Sequence, residues 1–159
     1  MKRAKKGLAF LISLCMIAGM LPTFAYANGD TFAEMKVGDK EAKQYDDQSQ
    51  FFSEFQQATG EISIKLLDDV TINGYIPVSE TQNVELDLNG CTLSTGVSSG
   101  SDLNTRHHYA IENNGTLLIE DTAGNGSIKA RGVKNLGEGI MVINGGTFID
   151  VDKSEAKRS

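Results

Sequence analysis

The sequence predicts an all-β fold, a parallel solenoid of about four coils preceded by a single capping α-helix. Two observations carry this. Hydrophobic residues alternate with period two after Gly60, and four segments between residues 66 and 148 repeat one order of residue types around a turn, which holds an Asn-Gly pair in three of them. Composition agrees: of 159 residues 17 are Gly, only two are Pro and none is Trp, which favours turns over long helices.

At the N-terminus, Lys2, Arg3, Lys5 and Lys6 precede an apolar run from Gly7 to Met20, followed by Leu21-Pro22-Thr23-Phe24-Ala25-Tyr26-Ala27. A basic start, an apolar stretch shorter than the roughly 20 residues a bilayer span needs, and an Ala-x-Ala end predict a secretory signal peptide over residues 1–27, cleaved after Ala27. Pro22 interrupts the run, which argues against an uncleaved anchor. Cys15 follows Leu14, where a lipidation site would want a small residue, and it lies in mid-run rather than at the run's end. A secreted chain with no stable membrane insertion after cleavage is expected.

Cleavage removes four of the 15 basic residues and none of the 21 acidic ones, leaving a formal net charge of −10. So acidic a chain is not expected to bind nucleic acid; its surface suits solvent, cations or neutral polymers. Only Cys91 remains among the cysteines, so no intramolecular disulfide can form and packing must hold the fold.

Residues 28–45 read as an N-terminal extended segment, and residues 46–150 as the capping helix plus the solenoid. Asp46 and Asp47 offer helix N-caps, Phe51, Phe52, Phe55 and Ala58 recur at helical spacing, and Gly60 can close the end. The Phe stripe is expected to cover the first coil.

The coils follow. Ile62, Ile64 and Leu66 alternate with Ser63 and Lys65, as in a half-buried strand. Leu66-Leu67-Asp68-Asp69-Val70-Thr71-Ile72, Leu86-Asp87-Leu88-Asn89-Gly90-Cys91-Thr92-Leu93, Leu118-Ile119-Glu120-Asp121 with Ser127-Ile128, and Val142-Ile143-Asn144-Gly145-Gly146-Thr147-Phe148 share one grammar. Each is an apolar strand, a turn, then a hydroxyl residue before an apolar one. Asn and Gly tolerate positive φ and Asx side chains bond nearby backbone, so strands can bend sharply there. The hydroxyl-apolar pairs lie 21, 35 and 20 residues apart. The short spacings suit one coil each, and the long one holds an inserted loop from Ser94 to His108. Antiparallel hairpins around each Asn-Gly are the competing reading.

The runs Val84 to Ser94, Tyr109 to Asp121 and Ile143 to Phe148 resemble the right-handed parallel β-helix repeats, pectate-lyase-like in fold, of secreted adhesin-like surface proteins from Gram-positive bacteria. The helix and strand of Phe51 to Thr71 are similar to the element that precedes such repeats. The resemblance covers residues 45 to 150 and implies a right-handed β-helix; it is poorly specific for activity, because that scaffold hosts lyases, hydrolases and plain stalks. Members usually run through many more coils. By that measure this chain, with its polar tail over residues 151–159, reads as a truncated product or a deliberate fragment.

Lyases on this fold group acidic residues around calcium beside an Arg or Lys base. The positions this implies are Glu85, Asp87, Glu120, Asp121, Asp150 and Asp152, with Lys129 and Arg131 as bases. Stacking would bring Asp87 and Glu120 together as weak calcium ligands. No other cofactor is expected, and no catalytic constellation is evident. Glu85 and Asp87 alternate with Val84, Leu86 and Leu88, as the outward face of a strand does. Asp102, Arg106, His107 and His108 mark the loop as a candidate binding element, although adjacent histidines on an extended segment point opposite ways and do not chelate one ion. Cys91 is expected to pack as a small apolar residue.

The leading expectation is a non-catalytic secreted or cell-surface scaffold, adhesin-like, that binds extracellular glycans or a host surface. The alternative is a polysaccharide lyase or glycoside hydrolase of the β-helix type, or a remnant of one. A solenoid end exposes apolar core and unpaired backbone, so end-to-end self-association through the coil at Val142 to Phe148 is expected.

Overall fold

The computed structural model describes residues 31–96 and 109–150. The predicted signal peptide, the polar tail with Asp152, and Asp102, Arg106, His107 and His108 lie outside the described residues.

Alternating aliphatic and polar residues make about half of the described chain strand, with one helix. In chain order the elements are β1 (Ala33–Val37), β2 (Lys43–Tyr45), α1 (Gln48–Gln57), β3 (Gly60–Leu66), β4 (Val70–Ile72), β5 (Ile76–Val78), β6 (Gln82–Asp87) and β7 (Thr92–Thr95). After the inserted segment come β8 (Tyr109–Asn113), β9 (Thr116–Glu120), β10 (Ser127–Lys129), β11 (Gly132–Asn135), β12 (Ile140–Ile143) and β13 (Thr147–Ile149). The fold is predominantly β.

The strands form three sheets. The first has the order β12-β9-β6-β3-β1-β2 and is mixed: β3, β6, β9 and β12 run parallel, whereas β1 lies antiparallel to both β3 and β2. The second, β13-β10-β7-β4, and the third, β11-β8-β5, are parallel throughout. From β3 onward the chain visits the first, second and third sheet in turn and then begins again. Strands on either side of an Asn-Gly pair thus belong to different sheets and do not pair as hairpins.

Register stacks like on like. In the first sheet Ile62, Val84, Leu117 and Met141 are neighbours, as are Ile64, Leu86, Ile119 and Ile143. The second sheet aligns Val70, Leu93, Ile128 and Phe148, and the third aligns Ile76, Ile111 and Val133. Those rows are buried up to β9 and β10 and join one continuous core. Each fully buried aliphatic side chain contributes about 1.5–3 kcal/mol, so the rows supply most of the driving force for folding.

In several respects the structure differs from the sequence reading. Val142, the first apolar residue of the fourth repeat segment, aligns with Leu118 and Glu85 on the outward face, so the inward register falls to Met141 and Ile143, of which Ile143 is itself 46% exposed. The pair Thr71-Ile72 does not align with Thr92-Leu93, because Val70 takes the place opposite Leu93. That offset is two residues, which keeps the same face inward and is invisible to hydrophobic pattern. It sets Thr95 opposite Ile72, with its hydroxyl buried and unpartnered among the described residues. A third strand per round, in the third sheet, went unnamed in the repeat grammar. Finally, residues 28–45 contain the paired strands β1 and β2.

Helix α1 begins where Asp47 accepts hydrogen bonds from the backbone N–H of Ser49 and Gln50 at 2.7 and 3.2 Å. Phe51 and Phe55 are buried; the Phe51 ring meets Phe32 and Tyr45 edge-on. Gly60, at φ +78°, does not cap the helix but opens β3. Gln82 joins helix to sheet: its buried carboxamide donates to the Phe55 and Ala58 carbonyls at 2.8 and 2.9 Å and accepts from Ser79 N–H at 2.8 Å. Gln82→Ala strands these partners, and urea melts should show a loss of about 3 kcal/mol; a change within experimental error would mean that the helix is held by its phenylalanines alone.

Candidate functional site

The outward face of the first sheet is the broadest surface the repeated strands create. Because side chains alternate, each inward row is flanked by outward ones. Lys36, Ser63, Glu85, Leu118 and Val142 align across five strands; Glu61, Asn83, Thr116 and Ile140 form the row on one side, and Glu34, Lys65, Asp87 and Glu120 the row on the other. A shallow concavity of about 490 Å³ crosses this face, lined by Lys36, Glu61, Asn83, Glu85, Thr116 and Leu118. It presents acids, amides and hydroxyls at the strand spacing of about 4.8 Å, with aliphatic side chains toward β12.

Where the first sheet turns into the second, carboxylates act as backbone acceptors. Asp87 accepts from Asn89 N–H at 2.8 Å and from Thr122 N–H and hydroxyl at 3.0 and 2.7 Å, with Lys65 Nζ at 4.0 Å. Partial burial raises its pKa, but the Thr122 and Asn89 hydrogen bonds and the Lys65 charge outweigh this and leave the group below the ordinary carboxylate value. Asp121 bridges two successive turns, accepting from Gly90 N–H at 2.8 Å and from Gly126 N–H at 2.7 Å. Asn89, at φ +48°, donates to the Leu66 carbonyl at 2.9 Å. At the corner between the third and first sheets, buried Asn113 donates to Asn135 and to the Ile140 carbonyl and accepts from Gly115 N–H.

Asp87 and Glu120 are direct neighbours across parallel strands, as stacking implied. The Asp87 oxygens, however, already serve the Thr122 and Asn89 donors. Among the described residues no group of three or more His, Cys, Asp or Glu is arranged to hold a metal ion. Lys129 stands on β10 in the second sheet, and Arg131 lies with Lys134 over the Tyr109 ring at the third. Neither proposed base therefore lies in the first sheet with Asp87 and Glu120. Glu85 lines the concavity, and Asp150 directly follows β13.

Cys91 is half-buried and packs against the core. Burial, then the charges of Asp69, Asp68, Asp121 and Asp87, push its thiol pKa up, away from the reactive thiolate. The sequence reading missed Gln82 and Asn113. For Asn113 the doubled asparagine before Gly115 was an available signal, whereas nothing local marks Gln82 as buried.

Comparison with protein-family models, with curated proteins and with solved structures finds no match to this chain. No helix among the described residues is long and apolar enough to cross a membrane.

The Asp87 carboxylate gives a pH signature. Its folded pKa is depressed, so the stability it contributes is complete above the ordinary Asp value of about 4 and is lost as pH falls through the lower folded value. Asp87→Asn should cost about 1–3 kcal/mol near neutrality, and that gap should close below about pH 4. A gap that stays constant from neutral to strongly acidic pH would contradict the assignment.

Proposed function

We propose that the chain is a non-catalytic, secreted or cell-surface binding scaffold, in which the three parallel ladders are the faces of a short right-handed β-helix closed at one end by α1. The observation that carries the reading is the use made of the acidic residues. Asp87 and Asp121 serve as acceptors that pin one turn to the next, and Lys129 lies in the second sheet and Arg131 between the second and third, whereas Asp87 and Glu120 lie in the first. Carboxylates spent on turn backbone are poorly placed for acid-base work, which needs a free lone pair within hydrogen-bond reach of the substrate.

The ligand class best suited to the first sheet's outer face is an extended, hydroxyl-rich polymer. Exposed Glu61, Asn83 and Glu85 with half-buried Thr116 offer repeated hydrogen-bonding groups, and neutral or cationic glycans would avoid the charge repulsion an acidic chain imposes on acidic ones. A β-helix lyase or hydrolase is the competing reading, supported by the adjacency of Asp87 and Glu120. A glycan array separates the two. The scaffold reading expects retention of neutral or amino-sugar polymers, weakened several-fold by Asn83→Ala with Glu85→Ala, and no unsaturated product from uronic-acid polymers with added calcium. A blank array sinks the binding assignment, and lyase product would establish the enzyme.

The same reading makes β12 and β13 the open end of the stack. Ile140, Val142, Ile143, Phe148 and Ile149 are the exposed large hydrophobic residues of the described chain, and all five lie there. A second copy is the proposed cover, meeting end to end because α1 and β1 occupy the other end. Sedimentation should show a concentration-dependent dimer that Ile140→Lys dissolves; a monomer at high concentration would refute it.

A further inference from the structure

The turns that punctuate the chain are chemically unequal. Asparagine followed by glycine is prone to lose ammonia: the glycine backbone nitrogen, giving up its proton, attacks the asparagine side-chain carbonyl carbon. A new C–N bond closes a succinimide as the carboxamide nitrogen departs as ammonia. Water then opens the ring at either carbonyl, giving aspartate or isoaspartate. The step needs a glycine N–H free to deprotonate and a carboxamide free to swing over it. Five Asn-Gly pairs fall among the described residues, at Asn73, Asn89, Asn114, Asn125 and Asn144.

Three of them are guarded. Gly90 and Gly126 each donate to a carboxylate oxygen of Asp121, at 2.8 and 2.7 Å. Gly115 donates to Asn113 Oδ1 at 3.1 Å and is so enclosed that a Cβ there would fall 2.2 Å from the Ser79 carbonyl oxygen. Asn89 is further held by its bond to the Leu66 carbonyl. The Gly74 and Gly145 N–H groups, by contrast, have no acceptor among the described residues. Asn73 and Asn144 are both exposed, and the one hydrogen bond of the Asn144 carboxamide, to Glu120 Oε1, is 3.5 Å long.

We propose that Asn144 and Asn73 are sites of spontaneous deamidation in the folded protein, and that Asp121 and Asn113 protect the other three Asn-Gly turns. Gly90 is guarded by a carboxylate from the following round, and no described residue plays that part for Gly145. At Asn144 the product carboxylate would face Glu120, to which the carboxamide had donated. Its isoaspartyl form would lengthen the backbone between β12 and β13, loosening the pairing of Thr147–Ile149 with β10.

The test is incubation of the folded protein at mildly alkaline pH with peptide mass spectrometry, alongside an identical sample in concentrated urea. In the folded sample Asn144 and Asn73 should convert at least about tenfold faster than Asn89, Asn114 and Asn125, the factor expected when attack must first break a hydrogen bond, charged in two of the three cases. In urea the five rates should converge. Asp121→Asn keeps one oxygen acceptor in place of two and should release Asn89 or Asn125. Equal rates in the folded protein, or a ranking that persists unchanged in urea, would overturn the proposal; this comparison needs only the wild-type chain.

Discussion

Parallel stacking of strands one above another requires that every round present the same face to the interior, and the inward-facing residues of β3, β6, β9 and β12 meet that requirement. Ile64 sits beside Leu86, Leu86 beside Ile119, and Ile119 beside Ile143. A slip of one residue would turn a whole strand's aliphatic side chains to water, at a cost of about 1.5–3 kcal/mol for each one exposed. A slip of two costs far less, which is why the strand containing Thr71 could settle two residues from its expected alignment. The rest of the structure elaborates this one constraint. Turns must bring the chain back at the strand spacing.

The turns meet their share through side chains that do backbone work. Asp87, Asn89, Asp121 and Asn113 hold the bends by hydrogen bonds that cross from one round to the next. Each such bond satisfies a polar group that would otherwise cost about 1–3 kcal/mol if buried unpaired. The same economy shapes the functional reading. An acidic residue engaged by two or three backbone donors is a structural acceptor, and that separates Asp87 and Asp121 from Glu61 and Glu85, which stand exposed on the outer face. The chain's negative charge is thus of two kinds, one spent on architecture and one facing solvent.

Much of the architecture was legible in residue order. The alternation, the recurring Asn-Gly pairs and the Phe stripe of the helix are local signals, and Asp47, Phe51 and Phe55 occupy the places those signals assign. The β1–β2 pair was not legible, because Ala33–Val37 and Lys43–Tyr45 are short and join the sheet only through β3. The third sheet was hidden for a similar reason: Ile76–Val78 is three residues long, and the β8 and β11 rows of that sheet reach across 21 or more residues of chain. Of the candidate site, the adjacency of Asp87 and Glu120 followed from stacking. Their separation from Lys129 and Arg131 did not, since it depends on which sheet each short strand joins. Val142 was misplaced because a run of four apolar residues, Ile140 to Ile143, has no alternation to say which two point inward.

Successive rounds pair in parallel along one register. Nuclear magnetic resonance of the labelled protein reads this out through contacts between backbone protons. Amide-to-Hα contacts of the parallel type should link Leu86 with Ile119 and Ile119 with Ile143, with none of the short Hα–Hα contacts that antiparallel pairing across Asn89-Gly90 would produce. Strong Hα–Hα contacts between the strands flanking that turn would contradict the parallel register.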